Sequence, residues 1–371
     1  MSSLATPTDV LAARMARARS LMADRGVDVL LLSVGPDLPY LTAYEAMPLE
    51  RLTMLVLPRD GEATLVVPRL EAPRVTEHPG VFTLSAWGET DDPVARVAHL
   101  VGSAEVAAVG DHTWARFLVD LLAVRPLQVR RGVEVMGPLR IAKDAAEVAL
   151  LRRAGAAADR VAAQLQAGAI PLVGRTEAQV SADLSQRLRD EGHERVNFAI
   201  VAAGDHAASP HHTPGSRVIR PGDVVLTDFG GRREGYCSDI TRCVSLGPPS
   251  AEVAEAYAVL QEAQAAAVRA ATVGTPCEEV DATARRIIAA AGHGEHFIHR
   301  TGHGIGMEEH EDPYLVEGNP LPLAPGHAFS IEPGIYVAGR FGLRLEDIVV
   351  ATEAGPEPMN HAVHDLVVVD A

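Results

Sequence analysis

The sequence predicts a two-domain α+β protein: a smaller α/β domain over residues 1–137, then a larger, internally duplicated α+β domain over residues 138–371. Three observations carry this expectation. The chain has 371 residues, more than a single hydrophobic core usually organises. Short apolar runs alternate with helix-patterned segments through its first third. Two stretches of its second part repeat the same order of turns, helices and strands. The composition is 47% hydrophobic and 22% charged, that of an ordinary folded chain.

In the first domain a helix is expected over Thr8–Arg25, stopped by Gly26. Val27–Ser33 reads VDVLLLS, a buried strand. Leu52–Pro58 and Ala63–Pro68 flank an Asp60-Gly61 turn signal and predict a hairpin. Val106–Val109 predicts another strand, followed by a helix over about Thr113–Ala123. Met136-Gly137-Pro138 reads as a breaker cluster and places the domain boundary. Beyond it, Asp144 with Glu147 three residues on predicts the capped start of a long Ala-rich helix.

The duplication is visible in paired phrases. Gly174-Arg175-Thr176 and Gly274-Thr275-Pro276 each lead into a predicted helix. PGDVVLTDFG (Pro221–Gly230) and PGHAFSIEPG (Pro325–Gly334) align without a gap, with Asp228 opposite Glu332. An H-x-x-P precedes each, His211 to Pro214 and His310 to Pro313. Related strands are therefore expected to present acids to one shared centre.

Charge and cysteine content narrow the function. A net charge of −16 disfavours nucleic acid and anionic lipid as partners. The short pairs Arg152–Arg153 and Arg285–Arg286 read as solvated helix faces. Three cysteines, Cys237, Cys243 and Cys277, fit neither a zinc ribbon nor a redox pair and suit a reducing compartment. Met1–Pro7 lacks the pattern of a secretory leader, and no run approaches the roughly 20 apolar residues of a membrane span. A cytoplasmic location is expected.

The acids carry the chemistry. Asp228, Asp239, Glu332 and Glu346 all lie in or beside segments that read as buried strands. A buried carboxylate is costly unless paired or metal-bound. Arg242 and Arg344 are the only cations nearby in sequence, and two arginines do not neutralise four acids plus Asp347. Two divalent cations do. His299, His303 and His310 fall in one Gly-rich run, HRTGHGIGMEEHEDP. Such a mostly oxygen site suits Mn2+ first, then Co2+, Zn2+ or Fe2+. Ions about 3.5–4 Å apart lower the pKa of a shared water and polarise a carbonyl, so hydrolysis of an amide or ester is expected.

From Lys143 to Val369 the chain resembles the pita-bread metallopeptidase family: Xaa-Pro dipeptidases (prolidases), aminopeptidase P and methionine aminopeptidase. The resemblance rests on D-F-G…G-Y-x-S-D-I-T-R, H-x-x-x-H-G-I-G…H-E-x-P, S-I-E-P-G and R-L-E-D. It implies a pita-bread catalytic domain with a pseudo-twofold axis. It also implies five metal ligands: Asp228, Asp239, His303, Glu332 and Glu346. His310 resembles the family histidine at the scissile peptide, His211 the substrate-side histidine of the other half, and His299 the histidine near the prolyl group. Arg344 resembles the arginine beside the metal-ligating glutamate, and Glu332 is implied as a proton shuttle too. The implied mechanism is attack on the carbonyl before proline by a hydroxide bridging two metals. Pro39–Tyr44 (PYLTAY) is similar to the Y-L-T-G-F segment of creatinase-type N-terminal domains, with Ala43 in place of glycine. Members with that domain are homodimers acting on short proline-containing peptides.

Other readings weigh less. Creatinase shares the fold without the metal ligands, and non-catalytic pita-bread modules have lost them. The extra domain and His299 argue against methionine aminopeptidase. Another metal-dependent C–N hydrolase or a lyase on this scaffold stays open. Cys237, Trp87 and Trp114 read as packing residues, and Asp347 as a structural hydrogen-bonding acid on the strand face opposite Glu346.

Overall fold

The computed structural model describes residues 6–369, so Met1–Ala5, on which part of the leader expectation rests, lie outside the described residues. The chain divides into two compact units that part between Arg140 and Ile141.

The first unit is a mixed sheet with helices. Its elements are α1 (Thr8–Arg25), β1 (Val29–Leu32), α2 (Asp37–Thr42), β2 (Met54–Pro58), β3 (Thr64–Pro68), β4 (Thr83–Trp87), α3 (Pro93–Val101), β5 (Val106–Val109), α4 (Ala115–Val124), β6 (Gln128–Arg131) and α5 (Val133–Arg140). The strand order is β4-β3-β2-β1-β5-β6. α1 stops where expected because Gly26 takes a left-handed φ of 64°. β2 and β3 form the expected antiparallel hairpin. The central strand β1 is buried along its whole length, which is why it reads as an unbroken apolar run.

Several elements here escape the sequence pattern. β6 reads QVRR and is largely exposed, so no apolar alternation marks it. α3 is only nine residues long, started by Asp92, whose side chain accepts from the Val94 and Ala95 amides. The segment containing Pro39–Thr42 is the helix α2, and Ala43 caps it with a φ of 56°. That is the left-handed conformation in which glycine is favoured. The breaker reading of Met136-Gly137-Pro138 is corrected: Pro138 lies inside α5. In so short a helix proline removes a single backbone bond, and buried Val135, Met136 and Leu139 hold the turn in place.

In the second unit, α6 (Ala145–Gln166) opens with the expected capping box of Asp144 and Glu147. α7 (Glu177–Asp190), β7 (Arg195–Ala203), β8 (Val224–Arg233) and β9 (Tyr236–Leu246) complete one half. The other half runs through α8 (Ala251–Ala270), α9 (Cys277–Ala290), β10 (Gly302–Gly304), β11 (Glu311–Leu315), β12 (Ala328–Ile331), β13 (Gly334–Val337), β14 (Phe341–Arg344), β15 (Asp347–Thr352) and β16 (Gly355–Pro358), and β17 (Val367–Val369) then returns to the first. The sheets are ordered β17-β9-β8-β7 and β11-β10-β12-β15-β16, with β13 and β14 a separate hairpin.

The paired phrases of the sequence become paired structures. Thr176 bridges Val218 and Pro276 bridges Pro322, docking the starts of α7 and α9 in matching ways. β8 is antiparallel to both neighbours in one sheet, as β12 is in the other. A bridge between Thr241 and Glu346 joins the two sheets. Acids borne on β8, β9 and the ends of β12 and β14 therefore converge.

Candidate active site

One cavity of about 400 Å3 in the second unit is lined by every expected metal-ligating, catalytic or substrate-binding residue: His211, Asp228, Asp239, His299, His303, His310, Glu332, Arg344 and Glu346. Phe198, Ile200, Pro210, Arg300 and Glu309 complete its wall. The duplication makes this possible, because equivalent strands aim their side chains at the junction of the sheets.

Each acid is placed by its strand. Asp228 in β8 and Asp239 in β9 are buried, as is Glu346 at the turn between β14 and β15. Glu332 follows the last residue of β12, where Ser330 Oγ donates to its Oε1 at 3.2 Å. Thr241 Oγ1 donates to Glu346 Oε2 at 2.6 Å. Arg344 Nη2 donates to Asp228 Oδ2 at 2.5 Å. His303 Nε2 stands 3.3 Å from Glu332 Oε1 and 3.8 Å from Asp239 Oδ2. Its strand β10 lies so close to β12 that a Cβ on Gly302 would come within 1.9 Å of the Ser330 carbonyl oxygen. That contact explains the glycine at this position.

The electrostatics are those of a site short of positive charge. Burial, then the charges of Glu346, Asp228 and Glu332, push Asp239 well above the usual carboxylate range. Burial, then Glu332 and Asp228, do the same to Glu346. Burial, opposed by Arg344 and reinforced by Asp228, pushes Glu332 up to about 7. Burial, with His310 beside it, holds His303 down at about 3, neutral as a metal ligand must be. Burial likewise lowers His299, to about 4, and His310.

Arg242 does not relieve this crowding. It lies beneath the site and pairs with Asp347 at 2.7 Å, donating also to the backbone carbonyls of Thr241 and Glu346. Asp347 thus takes the structural part expected of it, and further accepts from Gln264 and His364.

The residues fit a divalent-cation centre on three counts. Asp228 Oδ1 and Asp239 Oδ1 are buried polar atoms with no hydrogen-bond partner. Ligand atoms of Asp239, His303 and Glu346 all lie within 4.8 Å of one another. The donor set is carboxylate oxygen with one neutral imidazole, which suits such ions.

Sequence reasoning missed several residues. Tyr336 brings its hydroxyl 2.8 Å from His299 Nε2 and accepts from Arg344 Nη1 at 2.9 Å. Arg300, on the cavity wall, lies over the Tyr314 ring and 3.1 Å from His310 Nδ1. Arg300 stands between His299 and His303 in the motif, a signal that could have been used. Tyr336 carries none. His212, next to His211 in the chain, does not line the cavity and pairs with Glu177. Cys237 packs against the Met307 carbonyl. Trp87 is buried and donates to Leu52 O at 2.9 Å, and Trp114 stacks on Phe117.

Comparison with known proteins agrees with this geometry. Residues 149–353 match metallopeptidase family M24 and residues 14–122 the creatinase/prolidase N-terminal domain. The chain belongs to metallopeptidase family M24. The probable dipeptidase PepE of Mycobacterium tuberculosis is 45% identical to this M24 chain over 377 residues, covering 100% of it and 99% of the relative. The crystal structure of dipeptidase PepE from Mycobacterium ulcerans superposes with a TM-score of 0.92 at 45% identity, over 99% of this chain and 100% of that one. A prolidase from Thermococcus sibiricus gives a TM-score of 0.90 at 34% identity, covering 96% and 98%. The Xaa-Pro dipeptidase of Bacillus anthracis gives 0.89 at 28%, covering 97% and 100%. The fold is accordingly a pita-bread catalytic domain preceded by a creatinase-type domain, in a metal-dependent peptidase family acting on peptides. Among the described residues of this M24 enzyme, no helix is long and apolar enough to cross a membrane.

Proposed function

We propose that this M24 enzyme is a metal-dependent Xaa-Pro dipeptidase, working as a cytoplasmic homodimer. The observation that supports it best is the convergence of five ligand-type side chains with His211, His299 and His310 in one cavity. Asp228, Asp239, His303, Glu332 and Glu346 would hold a pair of divalent cations, Mn2+ foremost, which when bound supply the Lewis acidity that polarises the scissile carbonyl and activates water.

The surrounding side chains divide the remaining work. His310 and His211 face the peptide and donate to the oxygen on which negative charge develops, a contribution of several kcal/mol in typical sites. Glu332 is the carboxyl placed to carry a proton to the leaving prolyl nitrogen. That nitrogen belongs to a tertiary amide and leaves readily only when protonated. His299, held against Tyr336, forms the wall for the prolyl ring, with Phe198 and Ile200 as apolar lining of the cavity.

The choice of dipeptides over longer peptides rests on Arg300. Arg344 is committed to Asp228, Thr241, Tyr336 and the Pro210 carbonyl. Arg300 makes no ion pair with an acid among the described residues, yet lines a cavity rich in carboxylates. A guanidinium in that position reads the free carboxylate of a two-residue substrate.

The test is a mass-spectrometric time course on Ala-Pro and Ala-Pro-Ala, using chelated enzyme before and after Mn2+ return. Release of Ala from Ala-Pro only after metal return is expected, with Ala-Pro-Ala cleaved more slowly. Faster cleavage of the tripeptide would make the enzyme an aminopeptidase. No cleavage of either, with metal bound, would move the substrate to another C–N bond.

A further inference from the structure

We infer that Glu177 is a positioning residue that acts through His211, clamping both ends of the segment 203–215. The inference rests on the functional reading above, since His211 is the substrate-side histidine of that site.

Glu177 is the first residue of α7, and its side chain is 0% exposed. The Ala203 and Gly215 amides donate to its carboxylate at 3.0 and 3.2 Å, one from each end of the segment. Between them, His206 Nδ1 approaches it at 3.1 Å and His212 Nε2 at 2.8 Å. Burial opposes the charge of this carboxyl, but the donors outweigh it and leave the group below its ordinary range.

His211 directly precedes the clamped His212, and it lines the cavity. Among the described residues its ring makes no hydrogen bond of its own, so its place is set through the backbone. The same segment is held from its other side. Arg344 Nη1 donates to the Pro210 carbonyl at 3.2 Å, and a Cβ on Gly342 would come within 1.7 Å of the Ala207 oxygen. The duplication supplies a control within the molecule. The matching start of α9 carries buried Cys277 and docks through the equivalent bridge without a carboxylate. Docking the helix therefore does not require the acid, and what distinguishes this half is the segment that carries His211.

A double-mutant cycle tests the inference. His211→Ala and Glu177→Gln are each expected to lower kcat/KM about 10-fold or more, and the double variant to fall less than about 3-fold below either. Effects that multiply would overturn the proposal. A merely structural role would lower Tm and the active fraction but leave KM and the His211→Ala factor unchanged. If Glu177→Gln does not fold, His212→Asn replaces it in the cycle. Hydrogen exchange gives a readout free of substrate: the Ala203 and Gly215 amides should exchange at least about 10-fold faster in Glu177→Gln, with β9 unchanged. The cycle is run on whichever dipeptide the wild-type enzyme cleaves, so failure on Ala-Pro bears only on the functional reading. Glu177, His206 and His212 also have the reach of a metal trio. A further equivalent of Zn2+ bound by wild type and lost in His206→Ala would overturn the clamp in favour of an ion site.

Discussion

Arg242 and Asp347 form an ion pair at 2.7 Å with both side chains closed to solvent. The pair lies directly under Glu346, whose backbone carbonyl also accepts from the same guanidinium. Removing one partner strands the other in a low-dielectric interior, which typically costs about 3–5 kcal/mol. Asp347→Ala should therefore lower the denaturation midpoint steeply. Glu357→Ala, which breaks the exposed Arg152–Glu357 pair, should change stability by less than about 1 kcal/mol. Equal losses in the two variants would show that the buried pair is not structural.

Metal removal should destabilise the protein more at high pH than at low. Without cations, burial and mutual repulsion raise the carboxyls of Asp239 and Glu346 in the folded state. The folded state then binds protons that the unfolded chain releases above about pH 4, so stability falls as pH rises. Bound cations remove that loss by favouring the ionised form. The rise in Tm on adding Mn2+ to chelated enzyme should be larger at pH 8 than at pH 5.5. The comparison is made at one fixed ion concentration; where that is about 100 times the Kd at pH 8, the gain there is about 2.7 kcal/mol. A Tm shift independent of pH would count against these two residues as ligands.

Asp239→Asn and Glu346→Gln should lose bound metal and turnover together. Substituting a residue that only hydrogen-bonds to a metal ligand costs roughly 10–100-fold, and a ligand itself should cost at least as much. Elemental analysis of the purified variants beside their Ala-Pro rates checks the link. Full activity in either variant would sink the ligand assignment.

Arg300→Met should raise KM for Ala-Pro by roughly 10–100-fold, the value of a charged hydrogen bond worth about 1.5–3 kcal/mol. Ala-Pro amide, which has no carboxylate to lose, should be nearly unaffected. A parallel loss on both substrates would show that Arg300 works through His310 and not on the substrate terminus.

His193 and His327 should make the fold acid-sensitive. Burial holds both at about 4, with Lys143 adding to the effect at His327. In the unfolded chain they titrate near 6.5. Between about pH 4 and 6.5 the unfolded state binds more protons, so stability is full above that window and declines as pH falls through it. For His193 the contribution is on the order of 3 kcal/mol. His193→Gln should flatten the pH dependence of the urea midpoint between pH 6.5 and 4. An unchanged slope would mean that the ring does not stay neutral in the folded state.

Legibility in the sequence followed the strength of the local pattern. β1, β5 and the β2–β3 hairpin were readable because their burial makes continuous apolar runs between turn signals. α1 and α6 were readable from their caps. β6 and α3 were not, since an exposed edge strand and a short helix leave no periodicity. α5 defeated the breaker rule because three buried apolar side chains outweigh the one backbone bond that Pro138 removes.

The sequence by itself determined the family, the duplicated architecture and the inventory of acids and histidines in the site. Those are local properties: residue type, spacing and a repeated phrase survive in one dimension. Only the tertiary structure decided which groups meet. It gave Arg242 to Asp347 and not to the four acids, brought Tyr336 to His299, left Arg300 on the cavity wall with no acid partner among the described residues, and set Glu177 against His206 and His212. These pairings join residues far apart in the chain, and burial decides their worth. Neither separation in space nor loss of water can be read from neighbours in sequence.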